Sequence, residues 1–279
     1  IYIKQAGTEA RISKDMKPSR DRNRLESEIL MLEDRFAPGM VPHVYFFDTV
    51  MCACGMEDCS DYAVMRDAML AEETGAAVHI CHISTARSVE IVRQFKKKGV
   101  PITCETCPQY FALTEDELLS RGTLARVNPP LRTRLDVEGI LAGLKDGTID
   151  VIATDHAPHS DEEKARPLPE APSGMVGLET AFSVCYTKLC REYGMPLADL
   201  SRLMSRGPAE ILGLNKGLIA EGYDGDVVLV ELGEPYTVRR EDFAGKSKNT
   251  PYDGLSLYGR VACTVKAGRV TYGTMEAIG

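Results

Sequence analysis

Two short apolar runs in the sequence, residues 78–84 and 151–159, contain side chains that could bind a metal ion. These side chains are His79, Cys81 and His82 in the first run and Asp155, His156 and His159 in the second. Imidazole nitrogens and carboxylate oxygens bind Zn²⁺, and bound Zn²⁺ lowers the pKa of its water to about 7. A carboxylate beside that water could accept its proton and return it to a leaving group. We therefore interpret His82 and Asp155 as candidate metal ligands, and Asp155 also as a candidate general base.

Each of these motifs also has a purely structural interpretation. An Asp-His pair after a strand is often a capping or loop Asp beside a partly buried His, and apolar neighbours favour a core position for His79. Cys104 and Cys107 form a CxxC motif with no second pair beside it. Buried strand thiols are therefore favoured there over a zinc knuckle or a redox site. The metal interpretation needs both runs together, because only the fold could join His82 to Asp155.

The composition argues against several classes of function. The chain of 279 residues has a formal net charge of -8 and no long Lys/Arg run, so nucleic-acid binding is not expected. No stretch reaches the roughly 18 apolar residues of a membrane span, and residues 1–15 lack the apolar centre of a signal peptide. Nine scattered Cys fit reduced thiols better than a disulfide framework. We therefore expect a cytoplasmic protein that does not bind nucleic acid.

From residue 57 to about residue 213, helical periodicity alternates with short apolar strands. Helices are predicted at residues 61–75, 88–99, 134–147, 178–194 and 197–214, and strands at 76–84, 100–108 and 148–153. Helices and strands in repeated succession favour an α/β fold with parallel strands joined by helical crossovers. When parallel strands and helices of this type close into an α/β barrel, the functional residues lie at the carboxyl ends of the strands.

The two ends of the chain have different patterns. Beyond residue 214, apolar and polar residues alternate between Gly-containing turns, which predicts a small all-β unit at residues 214–279. Residues 1–56 are highly charged, with one predicted helix at residues 26–36 and one strand within residues 41–55. The regular alternation of helices and strands seen after residue 57 does not extend into them. We therefore divide the chain into an atypical segment of residues 1–56, an α/β unit of residues 57–213 and the β unit.

Six motifs, taken together, resemble those of a known family. They are VHICHIST, RVNPPLRT, ATDHAPHS, GMVGLETA, KGLIAEGYDGDVVLVE and KSKNTPYDG. As a set they strongly resemble the dihydroorotases of the zinc-dependent amidohydrolase superfamily, from about residue 57 to the end of the chain. Dihydropyrimidinases and allantoinases share the layout but usually carry a Ser-Asp-His variant where this chain has TDHAPH. The resemblance therefore favours a dihydroorotase.

The resemblance implies a (β/α)8 TIM-like barrel, represented here by its last strands and helices, with a small β-sandwich made from both chain ends. It implies zinc as the cofactor and the reversible conversion of dihydroorotate to N-carbamoyl-aspartate in pyrimidine synthesis. His82 resembles the metal ligand of the sixth strand, and Asp155 resembles the eighth-strand Asp that binds zinc and acts as a base.

Four further positions resemble residues that contact the substrate in this family. Asn128 and His159 resemble the residues that hold the ring and the carboxylate of the substrate. Ser173 and Gly174 stand where the family's loop touches the substrate through its backbone. A Phe is usual at the position of Ser173, so an apolar wall is missing there. Asn128, before two prolines, also fits a role in stabilising a turn.

Other parts of the family's site are not recognisable. The first-strand His-x-His pair, the Arg after it, the bridging ligand and the fifth-strand His should precede residue 57, and the surroundings of His43 do not match the last of these. Two ligands do not hold a catalytic zinc, because such sites take three protein ligands and a water. Three explanations stay open: a truncated or rearranged gene product, a foreign first segment, or a non-catalytic protein. A non-catalytic protein could assemble with a transcarbamoylase or, through unpaired strand edges, with itself.

Overall fold

The computed structural model describes residues 59–273 and, before them, the backbone of three strands. The strands of the main sheet are β1 (Tyr2–Gln5), β2 (Thr8–Arg11), β3 (Val44–Phe46), β4 (Val78–Ile80), β5 (Ile102–Thr106) and β6 (Val151–Ile152). They lie in the order β2-β1-β3-β4-β5-β6. Strands β3 to β6 run parallel, whereas β1 is antiparallel to both β2 and β3. The described chain is therefore an α/β structure built on a mixed sheet.

Helices connect and cover the parallel strands. They are α1 (Cys59–Thr74), α2 (Ala86–Lys97), α3 (Gln109–Ala112), α4 (Glu117–Arg121), α5 (Arg134–Lys145), α6 (Asp161–Lys164), α7 (Ala181–Cys185), α8 (Leu197–Ser201) and α9 (Gly207–Ile211). Segments of 3-10 helix occur at Gly122–Ala125 and Arg240–Asp242, and π-helix at Tyr186–Glu192 and Arg202–Arg206. Threonine side chains cap two of the longest helices: Thr85 begins α2 and Thr133 begins α5, each accepting a hydrogen bond from a first-turn N–H.

The predicted alternation of helices and strands between residues 57 and 213 is confirmed. The strand predicted within residues 41–55 is present as β3, which pairs in parallel with β4, with Val44 opposite Val78. The sequence pattern did not indicate this pairing, because a strand of three residues shows too little alternation to link it to the later strands. The helix predicted at residues 26–36 lies outside the described residues.

Two groups of buried apolar residues form the core. The larger group packs α1, α2, α5 and the helical residues 182–204 against the sheet, and includes Ile80, Val92, Ile140, Leu189 and Leu203. The smaller group joins Cys107, Tyr110, Val127 and Leu131 to Val238, Tyr252 and Leu257 from the last part of the chain. Each fully buried side chain of this size contributes about 1.5–3 kcal/mol relative to an exposed one.

The last part of the chain contains the predicted antiparallel strands. They are β7 (Val227–Glu231), β8 (Tyr236–Thr237), β9 (Ser256–Leu257), β10 (Arg260–Lys266) and β11 (Arg269–Gly273). β7, β10 and β11 form a three-stranded sheet in the order β11-β10-β7, and β8 pairs with β9. No helix in the described part of the chain is long and apolar enough to cross a bilayer.

Helix α5 packs closely against the start of α2 at Gly139. A Cβ atom added to Gly139 would lie 2.6 Å from the Cα of Ala86, which is backbone that cannot move aside. The start of α2 is tied to the same part of α5, because the Ala86 N–H donates to Asp136 Oδ1 at 3.0 Å. The absence of a side chain at Gly139 thus sets the distance between the two helices behind β4 and β5.

We expect Gly139→Leu to lower the free energy of unfolding by about 2 kcal/mol or more, because the steric conflict exceeds the gain in helix propensity. Glu138→Leu places the same side chain on the exposed face one residue earlier, and should change the free energy of unfolding by less than about 0.5 kcal/mol. Urea unfolding of both variants gives the comparison. Equal losses would mean that the helices can separate without penalty.

Candidate active site

The hydrogen bonds between the parallel strands continue beyond the ends of β4 and β6. The Ile83 N–H donates to the Glu105 carbonyl oxygen at 2.9 Å, and the Ala153 N–H donates to the Thr106 carbonyl oxygen at 2.9 Å. The segments after β4 and β6 are therefore both bonded to β5, one on each side. They leave the same edge of the sheet, about 10 Å apart at the usual spacing of two strands.

His82 and Asp155, the two predicted metal ligands, lie in these segments and share an uncommon backbone conformation. His82 has a φ of 39° and Asp155 a φ of 46°, and among the described non-glycine residues only Ala267 also has a positive φ. L-residues adopt this region at an energetic cost, and such residues cluster at functional sites. Each strand thus ends in a sharp turn that carries one candidate ligand.

The side chains of His82 and Asp155 share one electrostatic environment. Burial raises the pKa of the Asp155 carboxyl, the nearby His82 opposes this rise, and the Glu105 carboxylate adds to it. His82 is only 7% exposed, and its Nδ1 is buried with no hydrogen-bond partner in the described part of the chain. An unpartnered buried ring nitrogen is unfavourable unless a ligand binds it.

A second group of potential ligands, His79, Cys81 and Glu105, is satisfied by its own contacts. Their ligand atoms all lie within 4.8 Å of one another. His79 is 5% exposed, with Nδ1 at 2.8 Å from Thr103 Oγ1 and Nε2 at 3.2 Å from Glu105 Oε2. Burial raises the pKa of the Cys81 thiol. A neutral thiol and a hydrogen-bonded imidazole need no ion, which agrees with a core role for His79.

The CxxC cysteines are buried in the core. Burial raises the pKa of both Cys104 and Cys107, and the Cys104 thiol donates to the Thr148 carbonyl oxygen at 3.4 Å. The described cysteines form no disulfide. These properties agree with buried strand thiols.

His159, Ser173 and Gly174 lie together. His159 Nε2 is 3.0 Å from the Ser173 carbonyl oxygen. Gly174 has a φ of 133°, and a Cβ there would lie 2.5 Å from that of Ala157, so close packing requires glycine. The Gly174 N–H donates to the Arg126 carbonyl oxygen at 2.9 Å. The structure thus places three of the predicted substrate-binding residues in one contact group.

Asn128, the fourth predicted substrate-binding residue, is half-buried and lies two residues after Arg126. The hydrogen bond between Arg126 and Gly174 therefore brings the Asn128 segment beside the Ser173–Gly174 loop. His156 differs from its neighbours: it is exposed, and its Nδ1 accepts a hydrogen bond from the Gly177 N–H at 3.1 Å. We assign His156 a role in holding the backbone.

Asn249 joins the segments of this group, and its role was missed from the sequence. It is fully buried; its Oδ1 accepts from the His159 N–H at 3.1 Å. Its Nδ2 donates to the carbonyl oxygens of Ala157 at 3.1 Å and Gly174 at 3.2 Å. The motif KSKNTPYDG contains Asn249, but nothing in it indicates contact with residues 90 positions away.

Lys164 was also missed. It is only 3% exposed, and its Nζ donates to the carbonyl oxygens of Pro172 at 3.0 Å, Gly174 at 3.0 Å and Arg126 at 3.4 Å. Burial, together with the positive charge of Arg126, lowers the pKa of Lys164 to about 8. A lysine at the end of a short charged helix gives no sequence signal of burial.

Strand-end His and Asp side chains on a parallel sheet are typical of α/β enzymes whose site lies at the carboxyl edge. Comparison with known families is more specific. The chain belongs to the amidohydrolase family, whose model matches residues 46–271. The match begins at residue 46, before residue 57, where the sequence pattern predicted the start of the α/β unit.

Curated relatives and solved structures give the same family. The chain is 45% identical over 235 residues to a dihydroorotase of Acetivibrio thermocellus, which covers 84% of this chain and 55% of that protein. It is 47% identical over 205 residues to a dihydroorotase of Ruminiclostridium cellulolyticum, and this match covers 74% of this chain and 48% of that protein. The predicted resemblance to dihydroorotases is therefore confirmed. The chain spans about half the length of these curated relatives.

Among solved structures, the L-hydantoinase (dihydropyrimidinase) of Arthrobacter aurescens matches with a TM-score of 0.73 and 28% identity, covering 76% of this chain and 48% of that one. The dihydropyrimidinase of Brevibacillus agri matches with a TM-score of 0.73 and 25% identity over the same shares. The α/β architecture of the described chain is thus that of known amidohydrolases.

We expect Asn249→Ala to lower the free energy of unfolding by about 2–4 kcal/mol, because the His159 N–H and the Ala157 carbonyl oxygen lose their partner and the Gly174 carbonyl oxygen keeps only Lys164. Asn215→Ala is the matched control: Asn215 is exposed and donates only to the Gly222 carbonyl oxygen. That variant should lose less than about 1 kcal/mol. Urea unfolding measures both, and a loss at Asn249 no greater than at Asn215 would contradict the role described above.

The lowered pKa of Lys164 predicts a pH dependence of stability. Between pH 8 and about 10.5 the unfolded chain holds the Lys164 proton while the folded chain releases it, so stability rises with pH. Relative to Lys164→Met, the free energy of unfolding of the wild type should rise by up to about 3 kcal/mol across this window. Urea unfolding of both proteins at pH 7.5 and pH 10 measures the difference. If the difference in the free energy of unfolding between the wild type and Lys164→Met does not change with pH, Lys164 is not buried as a charged group.

Proposed function

We propose that the chain has the activity of a dihydroorotase, the reversible hydrolysis of the cyclic amide of dihydroorotate to N-carbamoyl-aspartate. The observation that carries this proposal is the 45% identity over 235 residues to a dihydroorotase. A match of that length within 279 residues spans both strand ends, including His82 and Asp155. The TDHAPH motif supports the same choice over the dihydropyrimidinases.

We also propose that the described fold is the last part of a (β/α)8 barrel with a small β-sandwich. Parallel pairing of β3 to β6 with helical connections supports the barrel. The antiparallel sheet of β7, β10 and β11 supports the sandwich. We keep the division into residues 1–56, 57–213 and 214–279 as a prediction, although residues 236–257 pack against the core of the α/β unit.

We propose that His82 and Asp155 hold a divalent cation, with zinc as the expected metal. The unpartnered, buried Nδ1 of His82 and the nearby Asp155 carboxylate fit this role. A complete catalytic zinc site takes three protein ligands, so a further ligand is required. When bound, the cation would act as a Lewis acid toward the ring amide carbonyl.

The chain's own residues supply proton transfer and orientation in this proposal. The Asp155 carboxylate takes a proton from the attacking water as the water oxygen bonds to the carbonyl carbon. It returns that proton to the ring nitrogen as the carbon–nitrogen bond breaks. Asn128 and His159 orient the ring and carboxylate of the substrate, and the backbone of Ser173 and Gly174 forms the adjoining wall. Burial around Asp155 strengthens its affinity for the transferred proton.

A second candidate function is a non-catalytic assembly role. It is favoured by the number of candidate zinc ligands proposed among the described residues, which is two, His82 and Asp155, whereas a catalytic zinc site takes three protein ligands. In this case the α/β unit would bind a transcarbamoylase or a second copy of the chain. A different cyclic amide is the other alternative, since Ser173 lacks the apolar ring usual in dihydroorotases. For either function we propose a reducing compartment, the cytoplasm, because the described cysteines are unpaired.

The full chain should bind zinc and hydrolyse dihydroorotate, and His82→Ala and Asp155→Asn should lower both bound zinc and turnover by at least about 100-fold. Elemental analysis of the purified protein and a spectrophotometric assay give the two readouts. Cys81→Ser is the matched control, because Cys81 lies on the same strand end but belongs to the satisfied group with His79. It should retain both properties.

Three results would decide against this assignment. A wild-type chain without zinc or turnover favours the assembly role. Faster hydrolysis of dihydrouracil, hydantoin or allantoin than of dihydroorotate assigns a different substrate. Loss of zinc in Cys81→Ser but not in His82→Ala moves the metal to the other group.

A further inference from the structure

Lys164 is a buried cation that lacks a neutralising partner in the described part of the chain. Its three acceptors are main-chain carbonyl oxygens, and the charged side chain that faces it, Arg126, has the same sign. Removing an ammonium group from water without a counter-charge is unfavourable, and an apolar side chain of similar length would avoid that penalty. The contribution of Lys164 to overall stability therefore does not explain its position.

The three acceptors of Lys164 come from the two segments that carry predicted substrate-binding residues. Arg126 lies two residues before Asn128, whereas Pro172 and Gly174 lie on either side of Ser173. An ammonium group has three N–H donors, and here each has one acceptor. Lys164 thus cross-links the Asn128 segment to the Ser173–Gly174 loop.

The backbone of Lys164 is itself fixed relative to His159. Helix α6 begins with a capping box in which Ser160 and Glu163 bond each other's backbone N–H groups, and Ser160 directly follows His159. The Lys164 N–H donates to the Ser160 carbonyl oxygen at 3.0 Å. At the other side, Thr123 Oγ1 donates to the Lys164 carbonyl oxygen. The cross-link is therefore anchored at a set distance from His159.

We propose that Lys164 is a positioning residue that holds the Ser173–Gly174 backbone and the Asn128 segment against His159, and so sets the affinity for an anionic cyclic amide. This proposal rests on the proposed function for the identity of the ligand. Lys164 acts through the backbone and does not touch the reacting atoms. Its loss should therefore weaken binding while leaving the chemical step nearly unchanged.

The test compares Lys164→Met and Lys164→Arg with the wild type in the full chain, and Lys97→Met is the control. Lys97 is exposed in the last turn of α2, far from the cross-link. The first readout is amide hydrogen exchange, because the Gly174 N–H is bonded to the Arg126 carbonyl oxygen. In Lys164→Met its exchange should be about tenfold faster, with no change in α2. Lys164→Arg keeps the charge but spreads its donors over a planar guanidinium, which does not fit three acceptors that converge on one nitrogen, so exchange at Gly174 should again be faster than in the wild type.

The second readout is the kinetics of dihydroorotate hydrolysis with zinc supplied. Lys164→Met should raise KM about tenfold and leave kcat within about twofold, because uniform binding is lost. Lys97→Met should change neither constant. A fall in kcat with unchanged KM would overturn the positioning role.

Exchange and kinetics separate this proposal from the proposed function. If the wild type does not bind dihydroorotate, the proposed function fails. Amide hydrogen exchange at Gly174 then tests by itself whether Lys164 holds the two segments together. Unchanged exchange at Gly174 in Lys164→Met, or equal acceleration in α2, overturns the proposal. If Lys164→Met does not fold, Thr123→Val replaces it: faster exchange at Gly174 supports the cross-link, and unchanged exchange overturns it.

Discussion

The pairing of β5 with both of its neighbours is the constraint on which the candidate site depends. β5 bonds β4 on one side and β6 on the other, and its carbonyl groups also bind the first residues beyond both strands. A shift of one residue in either pairing would send the next side chain to the opposite face. The apolar core behind the sheet prevents that shift, because it would expose Ile80 and Ile152. Packing behind the sheet therefore determines which side chains lie at the edge that carries His82 and Asp155.

Within this edge, hydrogen bonding decides which side chains remain available for a ligand. His79 and Cys81 both lie near Glu105, and the two ring nitrogens of His79 are hydrogen-bonded to Thr103 and Glu105. His82 lies next in sequence but turns out of the strand, and its Nδ1 has no partner among the described residues. The positive φ of His82 thus separates a candidate ligand from a core histidine three residues earlier.

The sequence predicted most of the strands and helices because apolar runs and helical periodicity are local signals. It also predicted that His82 and Asp155 follow strands, and in the structure they follow β4 and β6. Three features had no such signal. β3 is too short for its alternation to indicate that it pairs with β4, and Asn249 acts on residues 90 positions away. Lys164 binds main-chain carbonyl groups, which every residue possesses, so no pairing of side-chain types could reveal it.

The smaller core group has a consequence for how this chain can be recombined with its relatives. Val238, Tyr252 and Leu257 share that group with Tyr110 and other residues of the α/β unit. A chimera joined near residue 214, where the sequence pattern changes, would pair one parent's tail with the other parent's core. Such a junction would preserve every strand yet mismatch the side chains that hold the tail in place. Exchangeable units in this chain are therefore defined by shared packing, and not by the change from helical to alternating sequence.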